Sequence, residues 1–158
     1  MSALFTPFKL RDVQVANRIA VSPMCQNVAV DGKANSWHFI HYGGLASSGA
    51  GMLFIESTSV EPEGRITPGD LGLWDDATYG ALAPVLEAIR VHTPTRVILQ
   101  LAHAGRKASS DVPWKQGRLI APENGGWRPF ANRAEARSRR AFRSFRKAFR
   151  SRSGRRFA

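Results

Sequence analysis

The sequence of 158 residues contains a single cysteine, Cys25. One cysteine cannot form an intrachain disulfide, and such a composition is typical of a reducing compartment. The chain also lacks an apolar run long enough to cross a bilayer. Its N-terminus has neither the basic start nor the apolar core of a signal peptide. We therefore expect a soluble cytoplasmic protein.

Several common site motifs are missing as well. The sequence has no Walker loop, no Gly-x-Gly-x-x-Gly after a strand and no Gly-x-Ser-x-Gly elbow. Cys25 has no neighbouring Cys or His at metal-ligand spacing, which argues against a zinc site. His38 and His41 are three residues apart, but without a third ligand they are interpreted as ordinary helix residues. No metal site is predicted.

Aliphatic residues larger than alanine disappear after residue 130. Residues 131–158 contain ten Arg, one Lys and the single acid Glu135, a net charge of +10, whereas residues 1–130 carry 12 basic and 11 acidic residues, a net charge of +1. A strongly basic chain ordinarily suggests a nucleic-acid binder. Here the charge belongs to a C-terminal segment, so the near-neutral body has to be interpreted separately.

Two interpretations of this basic segment remain open. Phe142, Phe145 and Phe149 have helical spacing, so the segment would form a basic amphipathic helix if it folds. Such a helix would suit an anionic membrane or the phosphates of a nucleic acid. The alternative is a solvated, disordered basic tail.

The order of elements in the body predicts an α/β fold. Alternation and apolar periodicity indicate a hairpin over 8–15, strands at 18–21, 52–55 and 97–99, helices over 36–48 and 76–91, and an irregular loop over 108–130. Strands that alternate with helices favour right-handed βαβ units on a parallel sheet.

Each of the three predicted strands is followed by a polar or reactive residue, namely Cys25, Ser57 or Gln100. Because the carboxyl ends of parallel strands meet at one rim, we expect these residues to line a ligand site. For any one of them a structural role is equally open: a buried inert cysteine, or a glutamine bonded to loop backbone. His103 and Arg106, just beyond, have the same two interpretations, with a structural role favoured for His103.

Three collinear runs, LFTPFKLRDVQVANRIAVSPMCQ, GAGMLFIESTSVEPEGRITPG and VILQLAHAGRKAS, make the body similar to a known family. They resemble the start of the Old Yellow Enzyme family of NADH:flavin oxidoreductases, in the cysteine-bearing branch that includes the xenobiotic reductases. The likeness covers about residues 3–130.

The resemblance implies an N-terminal part, residues 1–130, of an FMN-binding (β/α)8 TIM barrel, with about three βα units after a hairpin. It also implies an oxidoreductase that uses NAD(P)H to reduce activated C=C bonds in small enone-type substrates. The implied flavin-contacting residues are Ser22, Pro23, Met24, Cys25, Ser57 and Gln100. Among these, Cys25 would tune the flavin potential, Ser57 would face a flavin carbonyl and Gln100 would bond the pyrimidine end.

The sequence departs from the family pattern in three places. Asn27 stands where this branch usually has tyrosine. The family's paired histidines and phosphate-binding loops belong to later strands, which this sequence does not contain. The pattern ends near Phe130, and we interpret residues 131–158 as an out-of-frame addition to a truncated, impaired reductase. The third strand would have an unpaired edge, and apolar faces would be exposed, which favours aggregation or a homo-oligomer. Flavin binding is expected to be weak or absent.

Overall fold

A computed structural model describes residues 2–129 and shows a partial α/β barrel. The strands are β1 (Phe8–Leu10), β2 (Val13–Val15), β3 (Ala20–Val21), β4 (Met52–Ser59), β5 (Leu71–Gly72) and β6 (Arg96–Ala102), and the helices are α1 (Ser36–Ser47) and α2 (Asp76–His92). β1 and β2 form the predicted antiparallel hairpin. β3, β5 and β6 each pair with β4 in parallel. The predicted order of hairpin and βα units is confirmed.

Both helices begin at side-chain caps that the sequence supplies. Asn35 accepts a hydrogen bond from the backbone N–H of Trp37, and the His38 ring accepts one from the N–H of Asn35. At α2, Asp75 and Thr78 bond each other's backbone amides in the same reciprocal way. These bonds satisfy N–H groups that have no partner inside a helix, which explains where each helix starts.

The core lies between one face of the sheet and the two helices. Leu53 and Ile55 of β4 are fully buried against Tyr42 of α1 and Leu82 of α2, together with Ala29, Ala46, Leu71, Val85 and Ile89. Val97 and Leu99 of β6 pack against the same cluster because they pair with Leu53 and Ile55. On the opposite face of the sheet, Phe54 and Ile98 are half-buried and Gln100 is exposed, so within residues 2–129 this face is left uncovered. In the same range β6 pairs with β4 alone.

β4 and β6 extend further than predicted, and this corrects the placement of two candidate site residues. Ser57 and Gln100 lie inside these strands and not after them. The register shifts between Ile55 and Thr58, so β4 has one extra residue opposite β6. Such a bulge lets pairing continue past the polar Glu56. Polar residues alone do not end these strands, because pairing with a neighbouring strand continues past them.

The long segment after β6 is irregular, as predicted, but it is anchored to the body. The indole N–H of Trp127 donates to the carbonyl of Glu63 at 2.9 Å, and its backbone N–H donates to Ser109 at 2.9 Å. The Arg65 guanidinium lies 5.0 Å from the Trp127 ring and 5.5 Å from the Trp74 ring. Cation–π contacts of this kind tie the end of the described chain to the loop after β4.

Substitutions of Asp75 are expected to show how α2 is capped. The bonds from Thr78 hold the pKa of Asp75 below its ordinary value near 3.8. A depressed carboxyl pKa adds stability above the unfolded pKa, and this stability is lost as the pH falls through the folded pKa. Asp75→Ala should therefore cost about 1 kcal/mol at neutral pH. Chemical denaturation at several pH values should show that this cost shrinks in acid.

Asp75→Asn is the matched variant, because asparagine caps helices nearly as well but does not titrate. It should keep most of the neutral-pH stability and lose the acid dependence. A cost of Asp75→Ala that is the same at every pH would contradict the carboxylate's role.

No helix within residues 2–129 is long and apolar enough to cross a membrane. The predictions for residues 131–158, an out-of-frame tail that is disordered or forms a basic helix, lie outside the described residues.

Candidate functional site

The uncovered face of the sheet brings the predicted polar residues together. Thr58 pairs with Leu101, and Val21 pairs with Leu53, whose side chain faces the core. Because successive side chains alternate between faces, Ser22, Ser57 and Gln100 all lie on the opposite, uncovered face. Ser22 and Gln100 are exposed and Ser57 is half-buried. The sequence-based expectation concerned Cys25, Ser57 and Gln100; the strand register puts Ser57 and Gln100 on one face, where Ser22 joins them.

None of these three side chains makes a hydrogen bond to another residue of the 2–129 segment. Gln100 therefore does not bond the loop backbone there, which was the structural alternative for it. A serine hydroxyl and a glutamine amide together offer donors and acceptors at fixed positions on the sheet. Such a surface suits a flat ligand whose edge carries both carbonyl and N–H groups.

Residues 22–27, which follow β3 and are called the Cys25 segment below, present Cys25 beside this face. Ser22, Met24 and Cys25 are exposed, and Pro23 is partly exposed. Two bonds fix the local backbone: the N–H of Gln26 donates to Glu56 at 2.9 Å, and its side-chain amide donates to the carbonyl of Met24 at 2.9 Å. The exposure of Cys25 rules out its interpretation as a buried inert cysteine.

The environment of Cys25 favours the neutral thiol. Partial burial of the sulfur raises its pKa most, and the nearby carboxylates of Asp70 and Glu56 raise it further. Hydrogen bonds from the backbone amides of Ser57 and of Cys25 itself act in the opposite direction. The Ser57 contact also shows that the thiol lies next to β4, close to the uncovered face.

Asn27 occupies a backbone conformation that asparagine tolerates better than tyrosine. Its φ is 55°, in the left-handed region where asparagine is enriched. Its carboxamide oxygen accepts a hydrogen bond from the Thr67 hydroxyl at 3.2 Å. Gly69, in the same loop as Thr67, packs closely against the Asn27 backbone. Asn27 therefore joins the Cys25 segment to the loop over 66–70.

Sequence reasoning missed Glu56, which lies at the centre of a buried polar cluster. It is fully buried, its carboxylate accepts a bond from the Tyr42 hydroxyl at 2.8 Å, and it lies 3.8 Å from the His38 ring. Burial raises the pKa of Glu56, and the bonds from Gln26 and Tyr42 lower it. The signal available in the sequence was an acid directly after the apolar run over 52–55.

The histidines have structural roles in the described chain. The His103 ring lies 2.6 Å from the Glu61 carboxylate and accepts the Gly105 N–H at 3.0 Å. His41 stacks on Trp37, with ring centroids 6.1 Å apart. Arg106 is exposed and has no hydrogen bond or ion pair to residues 2–129. The same described range contains no cluster of three or more potential metal ligands.

The sequence matches known proteins across most of its length. The model of the NADH:flavin oxidoreductase / NADH oxidase family matches residues 3–149. An NADH:flavin oxidoreductase of Gibberella zeae is 42% identical over 126 residues, which are 78% of this chain and 30% of that protein. An NADPH dehydrogenase of Listeria monocytogenes is 43% identical over 124 residues, 77% of this chain and 35% of that protein. This chain thus spans about a third of the length of these curated relatives.

Solved structures show the same likeness. Morphinone reductase superposes with a TM-score of 0.62 at 32% identity, over 67% of this chain and 28% of that one. The old yellow enzyme homologue from Zymomonas mobilis superposes with a TM-score of 0.61 at 29% identity, over 66% and 29%. The described elements therefore correspond to one part of these larger folds.

Proposed function

Since this chain belongs to the NADH:flavin oxidoreductase / NADH oxidase family, we propose that its uncovered sheet face holds one side of an FMN ring in an NAD(P)H-dependent oxidoreductase. The observation that carries this proposal is the placement of Ser22, Ser57 and Gln100 on one face without partners within residues 2–129. The curated relatives are named for reactions of NADH or NADPH, which supports the choice of reductant.

The described residues fit a flavin by their chemistry. The ring edge of a flavin carries alternating carbonyl and N–H groups, and the Gln100 amide has one acceptor and two donor hydrogens to meet them. The Ser57 hydroxyl sits one strand away on the same face and would bond a carbonyl. Pro23 stiffens the backbone that carries Met24 and Cys25 along the ring. Flavin, when bound, supplies the hydride-transfer chemistry.

Cys25 has a separate role in this proposal, because its environment favours the neutral thiol. A neutral thiol places no negative charge beside a ring that accepts hydride, whereas a thiolate would oppose that step electrostatically. The thiol would thereby tune the flavin potential. We propose a small enone-type molecule with an activated C=C bond as the substrate of the whole enzyme.

Replacing Gln100 with alanine is expected to weaken FMN binding by about tenfold, since one or two hydrogen bonds of about 0.5–1.5 kcal/mol each would be lost. The measurement is a titration of the full chain with FMN, followed by the absorbance and fluorescence of the flavin. Wild-type binding should be saturable, even where it is weak.

The matched control is Gln14→Ala, which removes an exposed glutamine side chain from β2, away from the proposed face. It should bind FMN as the wild type does. Equal affinities for the two variants would contradict the role of Gln100, and no binding by the wild type would contradict a flavin site in this chain.

The remaining expectations stay predictions. The cytoplasmic location, the homo-oligomer and the truncated state are among them. Binding of nucleic acid or anionic membrane by residues 131–158 rests on their net charge of +10 alone. A salt-dependent DNA titration of the full chain against residues 1–130 would test that alternative.

A further inference from the structure

Glu56 is a charged residue in a position where strands normally carry apolar ones. It lies at the bulge of β4, it has no exposed surface, and it follows the core residue Ile55 directly. A buried carboxylate is unfavourable unless hydrogen bonds compensate it. Its partners therefore show what the residue does in the fold.

The groups that hydrogen-bond to the Glu56 carboxylate all donate to it. The Gln26 N–H reaches one oxygen at 2.9 Å and the Tyr42 hydroxyl reaches the other at 2.8 Å. The Tyr42 oxygen accepts the Glu56 N–H at 3.1 Å, so its own proton is directed to the carboxylate. The Nδ1 of His38 accepts the Asn35 N–H, which leaves the ring proton on Nε2, 3.8 Å from Glu56. These donors fit an ionised, acceptor-only carboxylate, and they offset in part the burial and the Asp70 charge that hold the pKa of Glu56 above its ordinary value.

One of these donors belongs to the residue that follows Cys25. The bond from Gln26 spans 30 positions of sequence and attaches the exposed Cys25 segment to the centre of the core. Asp70 approaches the same segment from the loop over 66–70, where it accepts bonds from Ile66 and Thr67. The titratable groups around Cys25 are thus Glu56 on β4, Asp70 on that loop and Tyr42 on α1.

We propose that Glu56 is a positioning residue for Cys25: its carboxylate accepts the Gln26 N–H and fixes the backbone that carries the thiol. Its charge, together with that of Asp70, also opposes ionisation of the thiol, after the larger effect of partial burial. The functional importance of this arrangement rests on the flavin role proposed for Cys25. The arrangement itself does not depend on flavin, so it can be measured in the unliganded chain.

Two substitutions separate the effect of the hydrogen bond between Gln26 and Glu56 from the effect of the negative charge. Glu56→Gln removes the charge, while the amide oxygen can still accept the Gln26 N–H and the amide nitrogen can donate to Tyr42. Glu56→Asp keeps the charge but is one methylene shorter, so it no longer reaches Gln26. Glu87→Gln is the control, because it neutralises an exposed carboxylate on α2 whose partner is Arg90.

The experiment measures the rate of alkylation of Cys25 by iodoacetamide in the full chain as a function of pH, without flavin. Cys25 is the only cysteine, so the signal belongs to it alone. The thiolate is the reacting form, so the midpoint of the profile reports the thiol's acidity and the alkaline plateau reports its access. Glu56→Gln should react about three- to tenfold faster at neutral pH, with a lower midpoint and an unchanged plateau.

Glu56→Asp should show the opposite pattern, an unchanged midpoint with a higher plateau and faster hydrogen exchange at the Gln26 amide. Glu87→Gln should match the wild type. If folded Glu56→Gln kept the wild-type midpoint of alkylation, the charge of Glu56 would have no effect on the thiol. If Glu56→Asp kept the wild-type rate of hydrogen exchange at Gln26, the bond from Gln26 to Glu56 would not fix this backbone, and the proposal would be overturned.

If Glu56→Gln fails to fold by circular dichroism, the neutral amide cannot replace the carboxylate, and the Glu56→Asp result decides the proposal by itself. The alkylation profiles of both Glu56 variants are measured without flavin, so they would be the same whether or not the chain binds FMN. The proposal for Glu56 and the proposal of a flavin site can therefore fail independently.

Discussion

Replacing Leu53 with alanine is expected to lower the free energy of unfolding by about 2–5 kcal/mol. Leu53 has no exposed surface and lies in the cluster that joins β4 to both helices. Truncation removes buried apolar area and leaves a cavity between elements that are held on several sides, so the site cannot collapse fully. Urea denaturation of the full chain, followed by circular dichroism, measures the change.

Leu119→Ala is the control, because it deletes the same atoms from a side chain that is 69% exposed in the irregular segment. Its effect should stay within about 0.5 kcal/mol. Similar losses for the two variants would show that the cluster around Leu53 is not the core of the folded chain.

Replacing Gly69 with alanine should both destabilise the chain and displace the Cys25 segment. A Cβ atom at this position would lie 2.2 Å from the carbonyl oxygen of Asn27 and 2.5 Å from its carbonyl carbon. Backbone atoms cannot rotate away as a flexible side chain does, so the Asn27 backbone would have to move. The expected cost is about 1–3 kcal/mol, measured by denaturation, together with a changed alkaline plateau for Cys25 alkylation.

Gly80→Ala is the comparison, and its effect on the free energy of unfolding should have the opposite sign. Gly80 lies inside α2, and a Cβ atom there would meet nothing within 4 Å. Alanine should therefore stabilise the helix by about 0.5–1 kcal/mol, because glycine loses more backbone entropy on folding. If Gly69→Ala were as well tolerated as Gly80→Ala, the close packing of the 66–70 loop on the Cys25 segment would be wrong.

Periodicity was sufficient where an element is specified by its own residues. The helices were predicted over 36–48 and 76–91 and are observed at Ser36–Ser47 and Asp76–His92. Their apolar stripes and capping residues are local features, separated by a few positions, so a short window of sequence contains all of the information. The hairpin over 8–15 was predicted for the same reason.

The ends of β4 and β6 were not predictable in this way, because they depend on pairing partners far along the chain. Thr58 remains in a strand since it pairs with Leu71 on one side and Leu101 on the other. A rule that ends a strand at its first polar residue fails when tertiary partners satisfy that residue. Glu56 is the clearest case, since its partners lie on α1 and in the Cys25 segment.

By itself the sequence determined the order of hairpin, strands and helices, the separation of a near-neutral body from a basic end, and the resemblance to a flavoprotein family. Only the tertiary structure decided that Ser22, Ser57 and Gln100 share one face and that a buried acid holds the segment beside them. The physical reason is that side-chain facing depends on register and on the bulge in β4. A single extra residue in a strand reverses which side chains face the core.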